Sequence, residues 1–163
     1  MMKKKIILMA AALLMTLSSH AQFEAGKFYL NGSLSELNMN YNKGEKWNVS
    51  LGGRLGYLFM DNLMVLANME YGYRNEESSF SVGPSARYYI IQNGLYIGAG
   101  VNYVHCPSSF NDLMPNLQLG YAFFVNGFMT IEPELYYNQS LNNHDYSGLG
   151  LRVGIGLYLD DVF

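Results

Sequence analysis

Lys46-Trp-Asn-Val-Ser-Leu-Gly-Gly-Arg-Leu-Gly-Tyr-Leu-Phe59 divides cleanly by parity. Trp47, Val49, Leu51, Gly53, Leu55, Tyr57 and Phe59 fall on one side, and Lys46, Asn48, Ser50, Gly52, Arg54, Gly56 and Leu58 fall on the other. Successive side chains of an extended chain point to opposite faces, so a period of two marks a strand with one apolar and one polar face. The same alternation recurs downstream. Leu95, Ile97, Ala99, Val101 and Tyr103 oppose Tyr96, Gly98, Gly100 and Asn102, and Leu149 to Leu159 oppose Gly150, Arg152, Gly154, Gly156 and Tyr158 in the same way.

Turn signals punctuate the alternation at Asp61-Asn62, Asn93-Gly94 and Asn126-Gly127. Asn-Gly favours a tight hairpin because both central residues accept a positive φ. Between these turns lie longer polar stretches at Asn38–Glu45, Arg74–Ser79, His105–Asp112 and Gln139–Ser147. The pattern predicts eight antiparallel strands near 27–37, 46–59, 63–74, 79–91, 95–105, 113–125, 128–138 and 148–159. Tight turns and longer loops alternate along them. Pro84, Pro115 and Pro133 fall inside predicted strands, where each removes a ladder donor, so bulges or strand ends are expected there.

The polar face tells which solvent surrounds the sheet. It carries Arg54, Glu70, Arg87, Glu132, Glu134 and Arg152, three positive and three negative, while the apolar face is almost free of charge. Charges directed into lipid cost several kcal/mol, but charges facing one another across a lumen can pair. An apolar exterior around a polar interior is a membrane barrel; the soluble kind has the reverse arrangement. Aromatics gather at both strand ends: Phe28, Tyr57, Phe59, Tyr88, Tyr121 and Phe123 near the tight turns, and Trp47, Tyr71, Tyr73, Phe80, Tyr103 and Tyr137 near the loops. Such groups match the two aromatic girdles of a bilayer. The fold class expected is therefore all-β, an eight-stranded antiparallel up-and-down transmembrane β-barrel.

The ends of the chain bear on its compartment. Lys3–Lys5 precede the twelve-residue apolar run Ile6–Leu17, and Ser19-His20-Ala21 supplies a small-x-small cleavage site. Twelve residues fall short of the roughly 20 needed to span a bilayer as a helix. Residues 1–21 therefore read as a signal peptide, and 22–163 as a single exported barrel domain. Without the leader, seven Lys and Arg face thirteen Asp and Glu, a net charge of −6 that argues against a nucleic-acid partner. One cysteine, Cys106, excludes an internal disulfide framework. No metal-ligand spacing or nucleotide motif is present, so no cofactor is expected.

The mature chain resembles the small eight-stranded outer-membrane barrels of OmpA-like and OmpX-like architecture. It looks most like the compact outer membrane protein β-barrel domain proteins of Bacteroidetes, also grouped as a porin family. The likeness lies in pattern and length over the whole mature chain, with one more specific element. Arg152-x-Gly154-x-x-Leu157-x-Leu159, with Phe163 as terminal aromatic, is similar to the signal read by the barrel-assembly machinery, although Asp160–Val162 intervene before the final Phe.

That resemblance implies a cell outer-membrane protein surrounded by outer-membrane lipid and lipopolysaccharide. A structural, surface-interaction or limited porin-like role follows, with loops open to an extracellular ligand. Two alternatives are a channel for small hydrophobic compounds and a lipid A-modifying enzyme, a deacylase or acyltransferase. For the enzyme, His105, Ser108 and Ser109 in one loop and His144, Asp145, Tyr146 and Ser147 in another supply candidate groups. Their spacing does not reproduce the deacylase's His-x-Ser-Asn pattern. An eight-stranded barrel has a lumen that side chains can fill, and the six interior charges with Tyr29, Tyr89, Tyr96, Tyr136 and Tyr158 are expected to fill it.

Overall fold

The computed structural model describes residues 23–38, 49–74, 77–90, 93–107, 110–142 and 147–160. Residues 1–21, expected above to form a signal peptide, and Trp47, Ser108, Ser109, His144, Asp145, Tyr146 and Phe163 lie outside the described residues. The strands are β1 (Lys27–Asn38), β2 (Val49–Met60), β3 (Leu63–Arg74), β4 (Glu77–Tyr89), β5 (Leu95–Cys106), β6 (Phe110–Tyr121), β7 (Phe123–Phe124), β8 (Met129–Asn138) and β9 (Gly148–Asp160). Neighbours pair antiparallel in chain order, and β1 pairs with β9 to close the sheet. Gly120 faces Glu134 and Phe123 faces Ile131 in one unbroken register, so β7 continues β6 past Ala122. Nine segments thus make eight barrel strands, as the alternation predicts.

All three strand prolines are accommodated without a bulge. The sheet's register shifts at Glu36/Asn38 and Leu58/Met60, away from every proline. At Pro84 the ladder to β5 lapses between Val82–Tyr103 and Ser85–Gly100 and resumes in register. Pro133 stands where the ladder between β8 and the β6–β7 strand lapses in the same way. Pro115 sits just beyond the last β6–β8 pair, and its carbonyl accepts from Gln139 N at 2.9 Å. A missing N–H removes one bond without requiring an extra residue, so register survives.

Two expected loops shrink. β3 and β4 are separated only by residues 75–76, and β5 and β6 only by 107–109. Ser78, Asn111 and Asp112 read as loop because they are polar, yet they sit within strands. In a barrel with a polar lumen, polarity does not separate strand from loop. The tight turns also depart from paired positive φ. Asn62 (φ 65°) and Gly94 (φ 95°) adopt it singly. At Asn126 the side chain does the turning, its Oδ1 accepting from Phe128 N at 3.0 Å and Met129 N at 2.8 Å.

The exterior row is apolar and exposed, with Leu34, Leu51, Leu55, Leu117, Val153 and Ile155 among its members. Phe28, Phe59 and Tyr88 stand toward the short-turn end, and Tyr71, Phe80, Tyr103 and Tyr137 toward the long-loop end. The inverse row is buried and mostly polar or tyrosine. Gly154 belongs to it, whereas Leu157 and Leu159 of the same strand lie on the outer row.

Candidate functional site

Four large inward side chains each have a glycine directly across the ladder on one side. Tyr29 faces Gly56, Arg87 faces Gly98, Tyr96 faces Gly120 and Tyr136 faces Gly150. A Cβ at Gly120 would fall within contact distance of the Tyr96 ring, and one at Gly150 would meet Tyr136 likewise. Glycine on one strand thus makes the space into which its partner leans. The alternation of small and large inward residues that the sequence displays is therefore a packing code across strands.

Two carboxylates organise the charges. Glu134 on β8 accepts from both Nη atoms of Arg54 at 2.7 Å and from Arg152 Nη1 at 2.8 Å. It also accepts from Arg87 Nη2 at 3.3 Å and from the Tyr96 hydroxyl at 2.9 Å. Glu132, two residues earlier on the same face, accepts from Arg87 Nη1 at 2.9 Å, Tyr29 Oη at 2.5 Å and Thr130 Oγ1 at 2.8 Å. Arg152 spans to Glu70 at 2.8 Å, and Ser50 donates to that same carboxylate. All six charged residues singled out by parity thus form one connected cluster. Arg87 is 0% exposed, and three guanidiniums balance three carboxylates.

Toward the short turns the lining becomes aromatic. Arg87 Cζ lies 3.9 Å from the Tyr96 ring centroid, and the Tyr89 and Tyr158 hydroxyls are 2.6 Å apart. Phe23 completes this layer from outside the strands. It stacks on Tyr89 with centroids 3.8 Å apart and meets Phe124 and Tyr158 edge-on. Its carbonyl accepts from Asn62 N at 2.8 Å, and Gly26 N donates to Leu58 O at 2.7 Å. The segment before β1 is thereby laced across the barrel mouth. Sequence reading passes over Phe23, which precedes the first alternating stretch; its one signal is a large apolar residue beside a run of small and polar ones.

A third buried acid escapes the parity reading. Asp112 sits inside β6 near the long-loop end and takes the Ser140 hydroxyl as donor. Of the residues offered for catalysis, the two that are described, His105 and Ser147, are engaged elsewhere. His105 Nδ1 is 2.6 Å from Asn111 Oδ1, and the Ser147 hydroxyl accepts from Ser140 N and Gln139 Nε2 at 3.0 Å each. Among the described residues no group of three or more His, Cys, Asp or Glu could hold a metal ion. Glu132 and Glu134 have their lone pairs occupied by four and five donors, which leaves neither free to act as a general base.

Residues 7–163 match the family described as "Outer membrane protein beta-barrel domain". A search of curated proteins finds no match. Among solved structures, the N-terminal β-barrel domain of Pseudomonas aeruginosa OprF is similar at a TM-score of 0.67 and 14% identity, over 83% of this chain and 98% of that one. Yersinia pestis Ail in a phospholipid nanodisc gives 0.59 and 12%, over 82% and 99%. Pseudomonas aeruginosa OprG gives 0.57 and 17%, over 86% and 100%. At these identities the likeness is one of fold.

Proposed function

Since the chain belongs to the outer membrane protein beta-barrel domain family, we propose that it is a sealed, non-enzymatic barrel of the outer membrane. In this reading it acts as a structural anchor whose long loops face outward. One observation carries the proposal: the Arg–Glu cluster and the tyrosine layer beneath it cross the lumen as a continuous bonded partition. An ion entering this partition would have to displace buried partners, and uncovering one buried charge costs about 3–5 kcal/mol. The exposed apolar belt fits outer-membrane lipid and lipopolysaccharide as its surroundings. Gly154, Leu157, Leu159 and Phe163 are proposed as the residues the barrel-assembly machinery reads.

The strand ends at Lys27 and Asp160 then face the periplasm, and the longer loops, residues 139–142 among them, offer the extracellular surface to a ligand. Neither alternative gains comparable support. A hydrophobic-compound channel needs an open apolar lining, whereas Leu58, Met64 and Leu66 are packed into the aromatic layer. An acyl-modifying site needs a free base beside a nucleophile, and His105 is bonded to Asn111. An epitope inserted between Leu141 and Asn142 tests the proposal in intact cells. The tag is expected to be labelled by an impermeant antibody while uptake of small sugars and salts equals that of cells lacking the protein. Uptake that rises with expression of the folded barrel would contradict it.

A further inference from the structure

Inward glycines make room for rings, but two outward glycines have no such use. Gly32 on β1 and Gly53 on β2 are partners across the ladder. Gly32 stands between Leu30 and Leu34 in the outer row, and Gly53 between Leu51 and Leu55. A Cβ at Gly32 would meet nothing within 4 Å, and one at Gly53 only the Asn31 carbonyl oxygen at 3.8 Å. Packing within the barrel therefore does not require glycine at either place. Glycine weakens a strand, and inside one it often marks a place where another group approaches the backbone closely.

The pair leaves a cleft of about 580 Å³ in the outer wall. Its floor is Gly32, Gly53 and Ala67, and across the ladder Ile155 flanks Gly32 while Met69 flanks Gly53. Ile155, Met69 and Leu55 are each more than half exposed, so they stand as a rim above the floor. Leu30, Leu55 and Leu157 continue the lining toward the short turns, whereas Leu34 and Leu51 on the long-loop side do not border it. The polar residues that border it, Asn31 and Arg54, are buried and belong to the inward row.

We propose that this cleft seats one acyl chain of a phospholipid from the periplasmic leaflet. The inference rests on the membrane reading above, and it stands whether or not the lumen conducts. The cleft is continuous with the exposed apolar row that faces lipid, so hydrocarbon is the medium that reaches it. A chain lying against the bare glycine backbone, between Ile155 and Met69, gains dispersion contacts on its sides as well as beneath it. On the far side of the barrel Leu117 and Leu119 project outward instead. The extension toward the short turns selects the inner leaflet. A second copy is disfavoured because the projecting rim would hold another barrel wall away from the floor.

Photolabelling of the folded chain in bilayers tests it. The probe is a phosphatidylethanolamine with a diazirine midway along one acyl chain, and the labelled residues are located by mass spectrometry. Label on β1 and β2 around the cleft is expected several-fold above that at Leu117 and Leu119. A G32L/G53L variant fills the cleft without a clash, and its folding is checked by mobility on unboiled gels. Label on β1 and β2 should then fall to the Leu117 level. Equal label along the whole apolar row of the wild type would overturn the seat and leave the membrane reading intact. No label anywhere on that row would overturn both. Stronger label from lipid A bearing the same group would give the cleft to the outer leaflet, and loss of label with a doubled particle mass would give it to a second copy; either result overturns the proposal.

Discussion

Glu134 concentrates the lumen's electrostatics in one side chain. Glu134→Gln leaves Arg54, Arg87 and Arg152 facing only Glu70 and Glu132. A buried cation stripped of its partner is strongly destabilising, so urea unfolding of the bilayer-inserted protein should show a loss of about 3–5 kcal/mol. Gly120→Ala tests the glycine–tyrosine code by steric means. The added methyl meets the Tyr96 ring and should cost about 1–3 kcal/mol in the same assay, with Tyr96→Phe giving no relief because the clash extends to ring carbons. Phe23→Ala removes a ring that is 0% exposed, for about 3 kcal/mol by analogy with other buried Phe truncations. The charges and tyrosines were legible in the sequence because strand parity assigns a face to every residue. The bonds between them were not: Arg54 meets Glu134 across the lumen from strands that are not neighbours, and no spacing along the chain encodes that distance.

At the level of the strand, the decisive property is the sign of the apolar face. Leu117 is 62% exposed, while its neighbours Asn116 and Gln118 point into the lumen. Leu117→Arg should therefore cost about 2–4 kcal/mol in a bilayer, falling toward zero for the same change made beside a strand end. Equal costs at both depths would mean that the apolar row does not face lipid. Strand existence and order were readable wherever alternation runs unbroken, as in β2 and β9. Strand ends were less so. Asp112 and Ser78 read as loop because polarity marks loops only when the core is apolar, and here the core is polar. The prolines misled in the opposite direction: each was expected to mark a bulge or a strand end, yet each costs a single ladder bond and leaves register intact.

For the whole molecule, these features combine into a barrel whose lumen holds a charge cluster and an aromatic layer, with Phe23 packed into that layer at the short-turn mouth. The chain's length and alternation already imply eight strands, and eight strands imply a lumen that side chains can fill. Whether it is filled depends on how long side chains meet inside, which is a three-dimensional fact. Current recording across a planar bilayer containing the folded protein without residues 1–21 addresses this directly. The account predicts no discrete conductance steps in molar salt at moderate voltage, with insertion verified independently by protease protection. Reproducible steps of uniform size from the wild-type barrel would contradict it, since they would require a continuous ion path through the Arg54–Glu134–Arg152 layer.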